Sequence, residues 1–138
     1  MTEVSDSELL RVIKDFLEMG HVENIAAMFR RDPGYFQWTG AILDDERFNV
    51  RLGVSVLFEE LKPTHGGHME QAVPSLLPLL SSERPHIRGE AISILGIIAT
   101  ERATDLIREM RRDSNCQVRE ITEDILQELD SGENSSPP

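Results

Sequence analysis

Apolar residues recur along this chain at spacings of one, three and four, the pattern of helices that each bury one face. Leu9, Leu10, Ile13, Phe16 and Leu17 form the first stripe. Ser5-Asp6-Ser7-Glu8 ahead of it reads as a capping box, and Gly20 suits the left-handed residue that closes a helix. Further helices are predicted over 22–31, stopped by Asp32-Pro33-Gly34, over 35–43, and over 46–61, stopped by Lys62-Pro63. The paired glycines of Thr64-His65-Gly66-Gly67-His68 predict a loop. Pro74 and Pro78 interrupt 69–80, so that element starts near Pro74 or bends there, because proline lacks a backbone donor and clashes with the preceding turn. Helices are then predicted over 85–99, 101–112 and 117–129, with Pro85 in a first helical position and Thr100 and Asn115 as N-caps. Residues 131–138 are polar with two terminal prolines and are expected to form a disordered tail. No run alternates convincingly with the period of a strand, so the chain is predicted to be all-α, with about eight helices.

Three segments align on an apolar-Arg pair: Val50-Arg51, Ile87-Arg88 and Val118-Arg119, 37 and 31 residues apart. Each opens a helix with matching positions downstream. These are Val54, Leu57, Phe58 and Leu61; Ala91, Ile94, Leu95 and Ile98; and Thr122, Ile125, Leu126 and Leu129. The six extra residues of the longer step fit the 63–69 loop. A helix pair of this size cannot bury all its apolar surface alone, whereas stacked pairs share one continuous core.

These residues resemble the HEAT repeats, particularly the short form of phycobilisome-lyase-like proteins. The clearest stretch is Ile87-Arg88-Gly89-Glu90-Ala91-Ile92-Ser93-Ile94-Leu95-Gly96-Ile97-Ile98, followed by Arg102-Ala103 and Leu106-Ile107-Arg108-Glu109-Met110. The match covers about 35–129. Residues 1–33 lack the signature and are expected to be a divergent cap pair, and Thr122 departs from the small apolar residue usual there. The resemblance implies a right-handed α-α superhelix of about four helix pairs over 1–130, with the second helices lining its concave side.

Composition narrows the partners. The 138 residues suit one domain. With 14 Lys+Arg against 25 Asp+Glu, the net charge of −11 argues against nucleic acid and anionic membranes, whose binding rests on basic residues. It likewise disfavours the HEAT-like DNA glycosylases. The single Cys116 excludes an internal disulfide, and no apolar run approaches the ~20 residues of a membrane span. Met1-Thr2-Glu3-Val4 lacks the basic and apolar character of a secretion signal, which gives a cytoplasmic expectation. A monomer is favoured.

The candidate residues divide by chemistry. Arg51, Arg88 and Arg119 each follow an acidic or polar turn containing Asp45, Ser82-Glu83 or Asp113. They read as a structural ladder, in which planar guanidinium groups bond turn carboxylates and carbonyls. His65 and His68 supply two imidazoles, with Glu70 as a third candidate, where a structural zinc usually takes four ligands, so a solvated loop is favoured over a metal site. Deoxyhypusine hydroxylases of HEAT type carry His-Glu dipeptides in these helices; here Gly89-Glu90 stands at that position, and the resemblance implies the scaffold without that chemistry. Cys116 stands at a helix start with no histidine near in sequence, although His86 could approach in space. Tyr35, Phe36 and Trp38 read as core or capping surface. No catalytic constellation or cofactor motif appears.

The leading expectation is a non-catalytic module that binds a segment of another protein, with an apolar anchor and a basic end. The alternative is an accessory factor or enzyme akin to the HEAT-like lyases, or a metal-binding relative. By the 3.6-residue period, the face turned from the core is Leu52, Gly53, Val56 and Glu59; Gly89, Glu90, Ser93 and Gly96; and Glu120, Ile121, Asp124 and Gln127. In the family this side of the second helices is concave.

Overall fold

The computed structural model describes residues 5–134. Among these residues eight α-helical segments form: α1 (Asp6–Glu18), α2 (Val22–Arg31), α3 (Thr39–Leu43), α4 (Phe48–His65), α5 (Val73–Leu76), α6 (Pro85–Ile98), α7 (Glu101–Glu109) and α8 (Cys116–Asn134). Among the described residues there is no strand. α2, α4, α6 and α8 stack in chain order, each against the next, and α1, α3 and α7 pack against them. The result is an all-α solenoid with one hydrophobic cluster running from Ile13 to Leu126.

Local chemistry sets the ends. Ser5 Oγ accepts from the backbone N–H of Glu8, and Gly20 adopts φ +85° just after α1. Asn115 Oδ1 accepts from the N–H groups of Gln117 and Val118 at the start of α8. Thr100 Oγ1 accepts from Ala103 N at 3.2 Å and donates to Glu70 Oε2 at 2.6 Å, which ties α7 to the segment before α5. Thr100→Ala removes both contacts and is expected to lower stability by about 1 kcal/mol, measurable as a fall in the urea midpoint at unchanged slope.

Several expected boundaries move. The 35–43 segment is not one helix: Pro33–Trp38 winds as 3-10 before α3 begins. Asp32 Oδ1 accepts from Gly34 N, holding that tight first turn. The helix expected to stop at Leu61 runs on to His65, because Pro63 falls in its last turn and removes a single backbone bond. The loop expected over 64–68 is instead the end of α4 and the start of a 3-10 segment, Gly66–Ala72. Prolines 74 and 78 then each open a new short element, α5 and the 3-10 turn Leu77–Ser81. The third first-helix is therefore three pieces rather than one bent rod. At the C-terminus, α8 continues to Asn134, so 131–134 are helical rather than disordered, and the rest of the expected tail lies outside the described residues.

The repeat register places the core. Val50, Ile87 and Val118, and the residues four and eight further on, are all buried. Ile125 and Leu129, expected in the core, are half-buried, since among the described residues no helix follows α8 to cover them. The aromatic cluster joins the first two pairs. Phe36 is fully buried and meets Phe29 and Phe58 edge-on, with ring centroids 5.1 and 5.5 Å away, while Tyr35 stacks on Phe29 and meets Trp38 edge-on. α3 lies against α5 at Gly40, whose N–H donates to Ser75 Oγ at 2.8 Å.

Candidate functional site

The three repeated arginines are anchored alike. Each donates from Nη1 to the carbonyl six residues before it: Arg51 to Asp45 at 2.9 Å, Arg88 to Ser82 at 2.7 Å and Arg119 to Asp113 at 2.7 Å. Arg88 adds a two-pronged bond forward to Asp113, from Nε and Nη2 at 2.8 and 2.9 Å. That fork holds the Asp113 carboxyl below the usual carboxylate range, against the opposing effect of burial. The side chain of Asp45 does not meet Arg51. It takes Nε and Nη2 of Arg47, which hold its pKa well down, and lies 3.3 Å from Lys14 Nζ. These arginines therefore brace turns and are not a row of free cations.

The face expected to be presented by the second helices is partly closed. Leu52 and Val56 are 47% and 45% exposed, so the N-terminal helices leave them open. Phe48, 60% exposed, extends them into a stripe one turn longer. Glu59, Glu120, Asp124 and Gln127 are exposed, while Glu90, Ser93, Gly96 and Ile121 are half-buried. Gly53 and Gly89, expected on the open face, are buried. A Cβ on Gly53 would come within 2.9 Å of Leu17 Cβ on α1, and one on Gly89 within 3.0 Å of Ile121 Cδ1 on α8. Both positions serve helix contact, because the missing side chain lets a neighbour approach. Burial pushes the Glu90 carboxyl up, an effect that the charges of Arg51 and His86 oppose.

A groove of about 540 Å³ crosses the C-terminal halves of α4, α6 and α8. Ser93, Gly96 and Ile97 form its middle, Ile125 and Leu129 one wall, and Ser55 and Glu59 the other. Lys62 also lines it, but its ammonium donates to Ile98 O at 2.8 Å, capping α6, and Glu59 and Glu128 stand exposed at the edges. The periodicity anticipated Glu59, Ser93 and Gly96 here. It missed Lys62 and Ile97, and it assigned Ile125 and Leu129 to the interior.

The remaining candidates separate. The rings of His65 and His68 lie 6.0 Å apart, and their Nδ1 atoms face Thr64 and Gln71. Glu70 does not join them, since its carboxylate is engaged by Thr100. Among the described residues no three His, Cys, Asp or Glu side chains converge as metal ligands. Cys116 is exposed at the start of α8, and His86 is turned toward Glu46, with Nε2 3.7 Å from its carboxylate. Among the described residues no helix is long and apolar enough to cross a membrane.

A family model described as HEAT repeats matches residues 37–127, from the 3-10 turn before α3 into α8. No curated protein and no solved structure matches the chain. Repeats of this kind generally mediate contacts between proteins and typically serve as non-enzymatic scaffolds. With two-thirds of its length matched and its helix pairs stacked in repeat register, this chain belongs to the HEAT-repeat family.

Proposed function

We propose that the chain is a non-catalytic interaction module that holds a segment of another protein across α4, α6 and α8. The observation that carries this reading is the pairing of an open apolar stripe on α4 with an acid-edged groove across α4, α6 and α8. Phe48, Leu52 and Val56 repeat every four residues along α4 and supply a seat for an apolar anchor. Glu59, Glu128, Glu120 and Asp124 are exposed around the groove and along α8, whereas Lys62 is committed to a helix end. This charge distribution selects a basic end on the partner and speeds its approach at low salt.

Fluorescently labelled peptides provide the test: one with a Leu/Phe anchor followed by Lys and Arg, and one with the basic residues replaced by Glu. The basic peptide should bind more tightly and lose affinity as salt rises. Leu52→Asp with Val56→Asp, and separately Glu120→Lys with Asp124→Lys, should each weaken binding about tenfold or more while the helical circular dichroism stays unchanged. Equal binding of both peptides, or undiminished binding by all four substitutions, would overturn the assignment.

A further inference from the structure

The middle junction of the arginine ladder lacks the acid that its neighbours possess. Asp45, Ser82 and Asp113 occupy one register position, six residues ahead of Arg51, Arg88 and Arg119. All three cap their turns, accepting from the backbone N–H two residues on, at Arg47, Arg84 and Asn115, over 2.8, 3.2 and 2.9 Å. The two aspartates also meet a cation from the preceding helix pair, Lys14 at Asp45 and Arg88 at Asp113. At the middle junction the corresponding cation is Arg51, and the residue opposite is a serine.

Arg51 shows the consequence. It is 8% exposed, and its Nε is buried with no hydrogen-bond partner. Its Nη1 is pinned by the carbonyls of Asp45 and Glu46, just as Arg88 is pinned by Ser82 O. In the repeat register, this unpaired Nε corresponds to the Arg88 Nε that meets Asp113 on the following pair. The turn that carries Ser82 does lie there, because Arg84, two residues on, bonds Asp44 and Glu46 beside that anchor. Among the described residues no acid hydrogen-bonds this guanidinium: Phe48 lies with its ring centroid 5.8 Å from Arg51 Cζ, Glu90 of α6 feels its charge, and the register position that Asp113 fills for Arg88 holds a hydroxyl here.

We propose that Ser82 is a phosphorylation site, its phosphoryl group taking the place that the Asp113 carboxylate fills at the next junction. Ser82 Oγ attacks the γ-phosphorus of a nucleoside triphosphate held by a protein kinase. The new O–P bond forms as the bond to the β-phosphate oxygen breaks, nucleoside diphosphate leaves, and the hydroxyl proton passes to a base of the kinase. Ser82 is half-buried in a turn between exposed Ser81 and Glu83, at the surface end of the helix pair. Arg51, Arg84 and, when protonated, His86 are the cations at this junction, and Asp44, Glu46, Glu83 and Glu90 the acids; Arg84 already engages Asp44 and Glu46, and His86 faces Glu46. The phosphate therefore bonds Arg51 and locks α4 to α6, two of the three helices that form the groove.

Phosphoserine installed at position 82 by genetic-code expansion tests this. The thermal midpoint should rise by about 3–6 °C, Ser82→Asp should give a smaller rise, and phosphoserine at exposed position 81 should give none. In the folded protein the ³¹P resonance of the group should titrate at lower pH than free phosphoserine, and Arg51→Gln should abolish both signatures. In extract of the native cells with γ-labelled ATP, the chain should take up label that Ser82→Ala loses. No rise, a rise independent of Arg51, an unshifted titration or label retained in Ser82→Ala would each overturn the proposal. So would stabilisation of the unmodified protein by inorganic phosphate at the same concentration, which would assign the position to a free anion.

Discussion

Gly40→Ala will lower the stability of the fold by about 3 kcal/mol or more. A Cβ at this position would lie 1.9 Å from the carbonyl oxygen of Ser75 and 2.5 Å from its carbon. Those are backbone atoms, so no side-chain rotation relieves the overlap and α3 must move away from α5. The displacement also strains the bond from Gly40 N–H to Ser75 Oγ. Alanine's gain in helix propensity over glycine, about 1 kcal/mol, is too small to offset this. Gly67 is the control, since a Cβ there meets nothing within 4 Å. Urea denaturation should show a large fall in midpoint for Gly40→Ala and almost none for Gly67→Ala. Equal midpoints would mean that α3 and α5 do not pack as closely as described.

Arg88→Ala has the next largest effect, about 3 kcal/mol. The side chains of Arg88 and Asp113 are 12% and 7% exposed, and truncating the arginine leaves the aspartate desolvated without its fork. Arg119→Ala is the contrast, because that side chain is exposed and makes one bond within its own turn; its loss should be about 1 kcal/mol or less. The pair also carries a pH signature. The Asp113 carboxyl is lowered in the folded state from its ordinary value of 3.8, chiefly by Arg88. Its contribution is thus fully present above that ordinary value and is lost as pH falls through the lowered one. Wild-type midpoints should therefore drop on acidification below about pH 4 more steeply than those of Asp113→Asn. Parallel curves would show that the pair contributes nothing to acid stability.

The second helices were the readable part of the chain. An apolar-Arg pair followed by apolar residues at helical spacing fixes which side of α4, α6 and α8 is buried, since a 3.6-residue period admits one such face. The segment from 66 to 81 was opaque because its two prolines restrict the backbone without saying whether the chain bends, restarts or tightens into 3-10 turns. Glycines misled for a related reason. Gly53 and Gly89 sit at the phase of the open face, yet what a glycine admits is set by the neighbour that arrives, here Leu17 and Ile121. The groove was half visible: Glu59, Ser93 and Gly96 follow from phase, whereas Ile125 and Leu129 stay open because among the described residues no helix packs over them beyond α8. Phe48 precedes the repeat signature, so aligning the repeats leaves it out, although it stands four residues before Leu52.

The principal helix contacts run within a pair or between pairs adjacent in sequence. That arrangement keeps contact order low, so little chain entropy is spent before contacts form and folding is fast for a protein of this length. It also allows assembly to begin at any junction and spread outward in both directions. During synthesis, α1 to α4 can dock while α8 is still inside the ribosome, and the open apolar wall at Ile125 and Leu129 appears only when α8 emerges.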